Sequence, residues 1–372
     1  MNTELSRFAT RLRGLIANRQ PATGNRQFSE LALELYGLQF KHNSAYRKIC
    51  EARGLTPEVV EHWTQIPAVP AAAFKELELT SLAPGERTAV FHSSGTTGQT
   101  SSRHFHNAES LAVYEASLWT WFEQNIFPNS GAWLEALSLV FLTPNPMAAP
   151  HSSLVHMFEI VRREYALSAS AFTGQLKEDG SWTLDFVATV NQLQNACDSG
   201  QPLAMLGTAF SFVHLLDYLA AKDLVFQLPK DSRVMETGGY KNRSRCLPKE
   251  ELHALITARF GIPRENIRCE YGMSELSSQA YDSEIKNSKF KIKNLERTLH
   301  FPPWARVRII SPETGREAGE GETGLIRVFD LANVFSVAAI QTEDLGVRRG
   351  DGFELIGRAQ MAGPRGCSLM TA

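Results

Sequence analysis

From Ala89 to about Tyr281 the sequence alternates short apolar runs with longer amphipathic segments, and no other feature restricts the fold as much. The runs fall at residues 137–142, 203–206, 234–236 and 267–271, each too short for a buried helix. The segment 211–223 shows the complementary pattern, with Phe212, Leu215, Leu216 and Leu219 along one helical face. Apolar strands separated by helices predict a largely parallel, helix-covered α/β sheet. On either side the texture changes. Residues 28–40 carry apolar side chains at i, i+3 and i+4, and residues 66–70, Ile-Pro-Ala-Val-Pro, read as an extended connector because a residue before proline avoids the α region. After about Leu299 short strands and glycine turns take over, at 305–310, 324–329, 334–340 and 353–356. The expected division is a helical segment at 1–86, an α/β core at 87–298 and a β-rich part at 299–372, which suits a chain of 372 residues.

Charge and cysteine usage exclude several classes of function. Lys plus Arg is 38 against 40 for Asp plus Glu, a formal net charge of −2, so no strongly basic nucleic-acid or membrane-surface binder is expected. The cluster Lys286, Lys289, Lys291, Lys293 and Arg297 lacks a stacking platform and reads as a solvated face or a docking patch. Five cysteines, at 50, 197, 246, 269 and 367, form neither a disulfide framework nor a metal knuckle, which suits a reduced, cytoplasmic protein. Near the N-terminus, Glu4, Arg7, Arg11 and Arg13 interrupt Leu5, Phe8, Leu12 and Leu15, so no secretory core is present. The run 136–142 is too short to span a bilayer. Membrane insertion is not expected.

Three stretches carry chemistry. In the first, a β-like run at 88–92 enters Ser93-Ser94-Gly95-Thr96-Thr97-Gly98 and leaves through an extended piece at 103–106. Its glycines let backbone N–H groups converge as an anion nest, its hydroxyls add donors, and Arg103 supplies charge. It lacks the GK[ST] ending of a Walker loop, and alone it equals a polar surface turn. The second stretch is Met235 to Tyr240, with Gly238 and Gly239, followed by Glu270-Tyr271-Gly272-Met273-Ser274-Glu275. Both pieces follow apolar runs and so fall at carboxyl ends of strands, where open α/β sheets bind ligands. Tyr271 offers a stacking face and Glu275 an oxygen ligand for a hard cation; singly, each equals a core aromatic and a helix-start carboxylate. In the third, Asp344 is suited to ribose hydroxyls and Arg358 follows, although alone they read as a turn Asp and a surface Arg.

In this order the stretches resemble the adenylate-forming superfamily of acyl-CoA synthetases, and most closely its LuxE-type acyl-protein synthetase branch. SSGTTGQ, TGGY, EYGMSE and the tail Arg365-Gly366-Cys367-Ser368-Leu369 carry the resemblance from about Pro67 onward. It implies that ATP and Mg²⁺ are used to convert a fatty or other small carboxylic acid to acyl-AMP. Ser93, Ser94, Gly95, Thr96, Thr97 and Gly98 would be the phosphate loop, with Gly238, Gly239, Tyr240, Tyr271 and Gly272 around adenine. Asp344 and Arg358 would hold the ribose, Glu275 the metal, and Thr96 and Ser274 would act at the reacting phosphate. An acyl pocket is expected near Gly207, Thr208, Phe210 and His214, although His214 alone reads as an ordinary helix histidine.

The same branch carries an acyl-cysteine near its end and hands the acyl group to an acyl reductase. Cys367 sits among Gly363, Pro364, Gly366 and Ser368, a composition that leaves a terminus mobile, and Arg365 would lower its thiol pKa. Two departures stand out. Typical members continue into a lid domain with a catalytic lysine, whereas the last lysine here is Lys293 and the sequence ends fourteen residues after Arg358, so a truncated lid is expected. Ser274 also stands where threonine is usual. An acyl- or aryl-CoA ligase of the phenylacetate–CoA ligase type, and a non-catalytic partner-binding scaffold, are the alternatives.

Overall fold

The computed structural model describes residues 3–19, 25–93, 100–128, 137–165, 170–178, 180–238, 247–284 and 297–358. The apolar runs become strands whose two faces feed different cores, as side-chain alternation requires. In Ser138–Phe141, Leu139 and Phe141 enter one core and Val140 the other. Leu203–Thr208 divides likewise, Leu203 and Met205 against Ala204 and Leu206. Helices Phe186–Ser199, Ala209–Ala221 and Lys249–Phe260 cover the core of Val140, Leu203 and Met205, and Ala108–Ile126 and Ser153–Tyr165 that of Leu139, Phe141 and Leu206.

Five strands run parallel as neighbours: Ser170–Phe172, Ser138–Phe141, Leu203–Thr208, Arg233–Thr237 and Ile267–Tyr271. At Tyr271 the direction reverses. Ala280–Glu284, Arg297–His300, Gly352–Arg358, Ala339–Arg349, Thr323–Asp330 and Ala305–Ile310 extend the same sheet antiparallel. The chain thus adopts the helix-covered α/β architecture with β-rich C-terminal strands that its pattern predicts. A separate hairpin pairs Ala89–His92 with Arg103–His106 and brackets the Ser/Thr/Gly stretch. No helix among the described residues is long and apolar enough to cross a membrane.

The helices Asn25–His42 and Ser44–Ala52 pack on the C-terminal strands, with Phe28, Leu35 and Tyr46 in one core with Ile326, Val328 and Ile340, and Thr3–Ala17 lies against Ala108–Ile126. The fully buried Gln39 fastens the two ends of the chain together. Its amide donates to Asn333 O (2.8 Å) and Val334 O (3.3 Å) and accepts from Ala338 N (3.0 Å). This amide explains one departure from the pattern. The apolar run 334–340 reads as a strand, but the strand begins only at Ala339, because Gln39 takes up backbone groups that a ladder would otherwise use. A second departure is the helix expected at 211–223, which spans Ala209–Ala221, with Thr208 Oγ1 capping Ser211 N at 3.0 Å.

Candidate active site

The switch from parallel to antiparallel pairing places the ends of several strands side by side. Thr208, Thr237 and Glu270 stand in one row across neighbouring strands. Gly207, Gly238, Tyr271 and Gly272, expected from the sequence to face a ligand, therefore lie at or next to one edge of the sheet. Gly238 takes φ +70°, a conformation that favours glycine, and it ends the described backbone there. Gly239 and Tyr240 lie outside the described residues, as do Ser94, Gly95, Thr96, Thr97, Gly98 and Cys367.

The structure joins the first and second stretches through their flanks. Ser93 N donates to Ser102 Oγ (3.3 Å) and Ser102 N to Ser93 Oγ (3.0 Å), a reciprocal pair that closes the base of the hairpin loop. Ser102 Oγ lies 3.4 Å from Ser274 Oγ, which donates to Glu275 Oε2 at 3.1 Å. A chain of hydrogen bonds therefore runs from the Ser93 N–H through the hydroxyls of Ser102 and Ser274 to the carboxylate of Glu275, itself only 4% exposed. His104 adds a second tie, its Nδ1 lying 2.9 Å from Ser274 O. Burial pushes the His104 pKa down to about 4, so the ring is neutral at pH 7. Because a carbonyl only accepts, Nδ1 carries the proton.

The second and third stretches meet directly. Tyr271 donates its hydroxyl to Asp344 Oδ2 at 2.9 Å, and Arg358, opposite Asp344 in the ladder, brings Nε to 3.8 Å from Oδ1. Burial raises the Asp344 pKa, while the Tyr271 hydroxyl and the Arg358 guanidinium pull it down. Asp344 sits within the strand Ala339–Arg349, next to an irregularity between Leu345 and Gly346, and not on a turn.

Other expected residues take different places. Gly207 is required by packing, since a Cβ there would lie 2.8 Å from Leu142 Cβ. Phe210 and His214 pack with ring centroids 4.4 Å apart and planes tilted by 57°, and the buried Nε2 of His214 has no hydrogen-bond partner among the described residues. Arg103 is 3.8 Å from Glu78 Oε1, which offsets the charge the sequence seemed to offer the loop. Arg297, read as part of a solvated face, is instead buried and paired to Asp282 at 3.4 Å, whereas 286–293 lie outside the described residues. Cys197, read as sitting in an apolar, structural context, is half-exposed, its thiol 3.5 Å from Gln227 O.

Sequence reasoning missed the polar residues that hold the site in shape. Thr237 donates its hydroxyl to Glu270 Oε2, tying Gly238 to Tyr271 from below. Burial pushes the Glu270 carboxyl up to about 7, opposed by the Thr237 bond and assisted by Glu236. Asn333 donates to Glu275 O at 3.0 Å, and Asp330 accepts from Ser277 N (2.9 Å) and Ser278 Oγ (2.7 Å). Thr237 and Glu270 open the TGGY and EYGMSE stretches, so their positions were legible and their contact was not, whereas Asn333 and Asp330 belong to no motif. A carboxyl inside an apolar strand, Glu270 after Ile267 and Cys269, was a further signal.

Known proteins resemble this chain in sequence and in fold. The family model described as acyl-protein synthetase, LuxE, matches residues 24–372. A long-chain-fatty-acid–luciferin-component ligase of Vibrio harveyi is 26% identical over 352 residues, covering 92% of this chain and 86% of its own. The protein of the same name from Aliivibrio fischeri is 24% identical over 357 residues, covering 92% and 87%. Among solved structures, an open conformation of 2-hydroxyisobutyryl-CoA ligase, in complex with 2-HIB-AMP and CoA, superposes with a TM-score of 0.65 at 12% identity. That match covers 91% of this chain and 71% of the ligase. Against an ATP-bound RpMatB-BxBclM chimera the chain spans 49% of the other's length, with a TM-score of 0.47. The motifs, the fold and a family match across nearly the whole length agree: the chain belongs to the LuxE acyl-protein synthetase family.

Proposed function

We propose that the protein uses ATP to activate the carboxylate of a long-chain fatty acid and then transfers the acyl group to its own Cys367 for delivery to an acyl reductase. The observation that carries this reading is the convergence of three distant segments, through Ser93–Ser102–Ser274–Glu275 and Tyr271–Asp344–Arg358, at one sheet edge. A carboxylate is a poor acyl donor because oxide is a poor leaving group. Attack of a carboxylate oxygen on the α-phosphorus forms a C(O)–O–P bond and breaks the bond to pyrophosphate, so that AMP becomes the leaving group. The protein's share is to hold the reactants in line and to balance developing charge. Asp344, its Oδ2 already taking the Tyr271 hydroxyl, keeps acceptor capacity for ribose hydroxyls. Ser94, Thr96 and Thr97 are the groups for the β- and γ-phosphates.

Glu275 fits the protein's part of a Mg²⁺ site. Its carboxylate is oxygen-only and oriented by Ser274, and one carboxylate beside phosphate oxygens and water is the usual share. When bound, Mg²⁺ neutralises phosphate charge. In the second step the Cys367 thiolate attacks the acyl carbon, a C–S bond forms and the C–O bond to AMP breaks. Burial pushes the thiols of Cys50, Cys197 and Cys269 up, the wrong direction for a nucleophile, which supports assigning the acceptor to the tail.

The test separates the half-reactions. Cys367→Ser should keep acid-dependent exchange of pyrophosphate into ATP but lose the hydroxylamine-labile acyl label. Glu275→Ala should lose both while unfolding at the same temperature as the parent to within a few degrees. Rapid release of acyl-CoA by Cys367→Ser would assign the protein to the CoA-ligase reading. Absence of exchange with every fatty acid tried would leave the scaffold.

A further inference from the structure

Three arginines come together away from the residues assigned to nucleotide. Arg308 and Arg327 are direct partners across the strands Ala305–Ile310 and Thr323–Asp330, and like charges facing each other in a ladder are destabilising. Arg53, just past the helix Ser44–Ala52, approaches from the N-terminal segment, holding Ala68 O in the same short stretch whose Thr64 O is held by Arg308. Burial depresses the Arg327 pKa, and the charges of Arg308 and Arg53 depress it further.

Each is held in place by a neutral acceptor. Arg327 Nε donates to Gln341 Oε1 (2.8 Å), Arg53 Nη1 to Ala68 O (2.8 Å) and Arg308 Nη1 to Thr64 O (3.1 Å). Gln341 is itself fixed, its amide donating to Ile326 O at 3.0 Å. Among the described residues no carboxylate pairs with Arg53 or Arg327, and Glu317, 2.9 Å from Arg308, is shared with Arg348 at 3.4 Å. Arg53 and Arg327 are therefore oriented without neutralisation, and Arg308 shares a single carboxylate with Arg348. Oriented guanidinium forks with spare N–H donors match the geometry of tetrahedral oxyanions.

We propose that Arg53, Arg308 and Arg327 form a seat for a phosphate-type oxyanion, distinct from the site for ATP. The occupant is free phosphate or the phosphate group of a larger molecule, and binding would tie the N-terminal helical segment to the C-terminal strands.

Thermal unfolding of the full chain tests this at fixed ionic strength, with chloride replaced by inorganic phosphate or by glycerol 1-phosphate. The parent should unfold at a higher temperature in phosphate than in chloride. Arg327→Gln and the more exposed Arg53→Gln should each lose most of that shift and bind inorganic phosphate at least tenfold more weakly by calorimetry. Both should keep acid-dependent pyrophosphate exchange, so failure here is distinguishable from failure of the adenylation reading. Equal shifts with both anions assign free phosphate, and a larger shift with the ester assigns a larger ligand. A phosphate shift that survives both substitutions, or no shift in the parent, overturns the proposal.

Discussion

Asp344 and Glu270 show how far environment decides what a carboxyl does. Both are deeply placed, yet Asp344 has the Tyr271 hydroxyl and a nearby guanidinium, while Glu270 has one hydroxyl and a second carboxylate, Glu236, among its neighbours. Asp344→Ala should therefore weaken ATP far more than 2′,3′-dideoxy-ATP, because the lost bonds go to ribose hydroxyls. Hydrogen bonds to a charged group are worth about 1.5–3 kcal/mol each. Competition binding checks this, and equal losses for both nucleotides would remove Asp344 from the ribose site. Glu270 makes a pH prediction. Its folded pKa of about 7 lies above the ordinary glutamate value of about 4.5, so the folded state holds a proton that the unfolded state releases. Stability from this group is complete below pH 4.5 and is lost as pH rises through 7, at about 1.4 kcal/mol per unit. The neutral analogue Glu270→Gln removes that slope. The difference in unfolding temperature, variant minus parent, should grow from pH 5 to pH 8, and a constant difference would refute the assignment.

Strands and turns set the geometry that single residues exploit. Gly272 is needed at the end of Ile267–Tyr271 because a Cβ there would collide with Glu270 Oε1, which is not free to swing while its partner oxygen takes the Thr237 hydroxyl. Gly272→Ala should cost about 1–3 kcal/mol in urea unfolding, the usual penalty for overpacking. Shortening the neighbour in the double variant with Glu270→Asp should return part of it, since contacting residues are not additive. Additive losses would mean that the two turns are not coupled through this carboxyl. The hairpin Ala89–His92 and Arg103–His106 works the same way one level up. Its strand pairing delivers Ser102 and His104 to Ser274, and so fixes where the intervening Ser/Thr/Gly loop leaves and returns.

At the scale of the molecule, the first helices and the last strands close on one another, and Gln39 is the fastening. Gln39→Ala would leave Val334 O and Ala338 N buried without their partner, while Asn333 O keeps Ser336 N at 3.2 Å. Each unmade bond of this kind costs about 1–3 kcal/mol, so chemical denaturation should show a loss of at least about 2 kcal/mol. An unchanged midpoint would mean that the loop repacks. Because Asn333 also donates to Glu275 O, the same change should raise the KM for ATP.

The sequence by itself determined the strands, the helices and the order of the chemistry-bearing stretches, because these depend on short-range periodicity and on local motifs. EYGMSE and the Ser/Thr/Gly run are legible for that reason. Asp344 was legible as a residue, but its place inside a long strand was not, since a β-irregularity follows from pairing partners far away in sequence. The reversal of direction at Tyr271, the Gln39 clasp, the Thr237–Glu270 bond and the meeting of Arg53, Arg308 and Arg327 were decided only by tertiary structure. Each joins groups that no periodicity relates, and burial, which only the folded chain confers, is what gives a hydroxyl, an amide or a carboxyl its energetic weight.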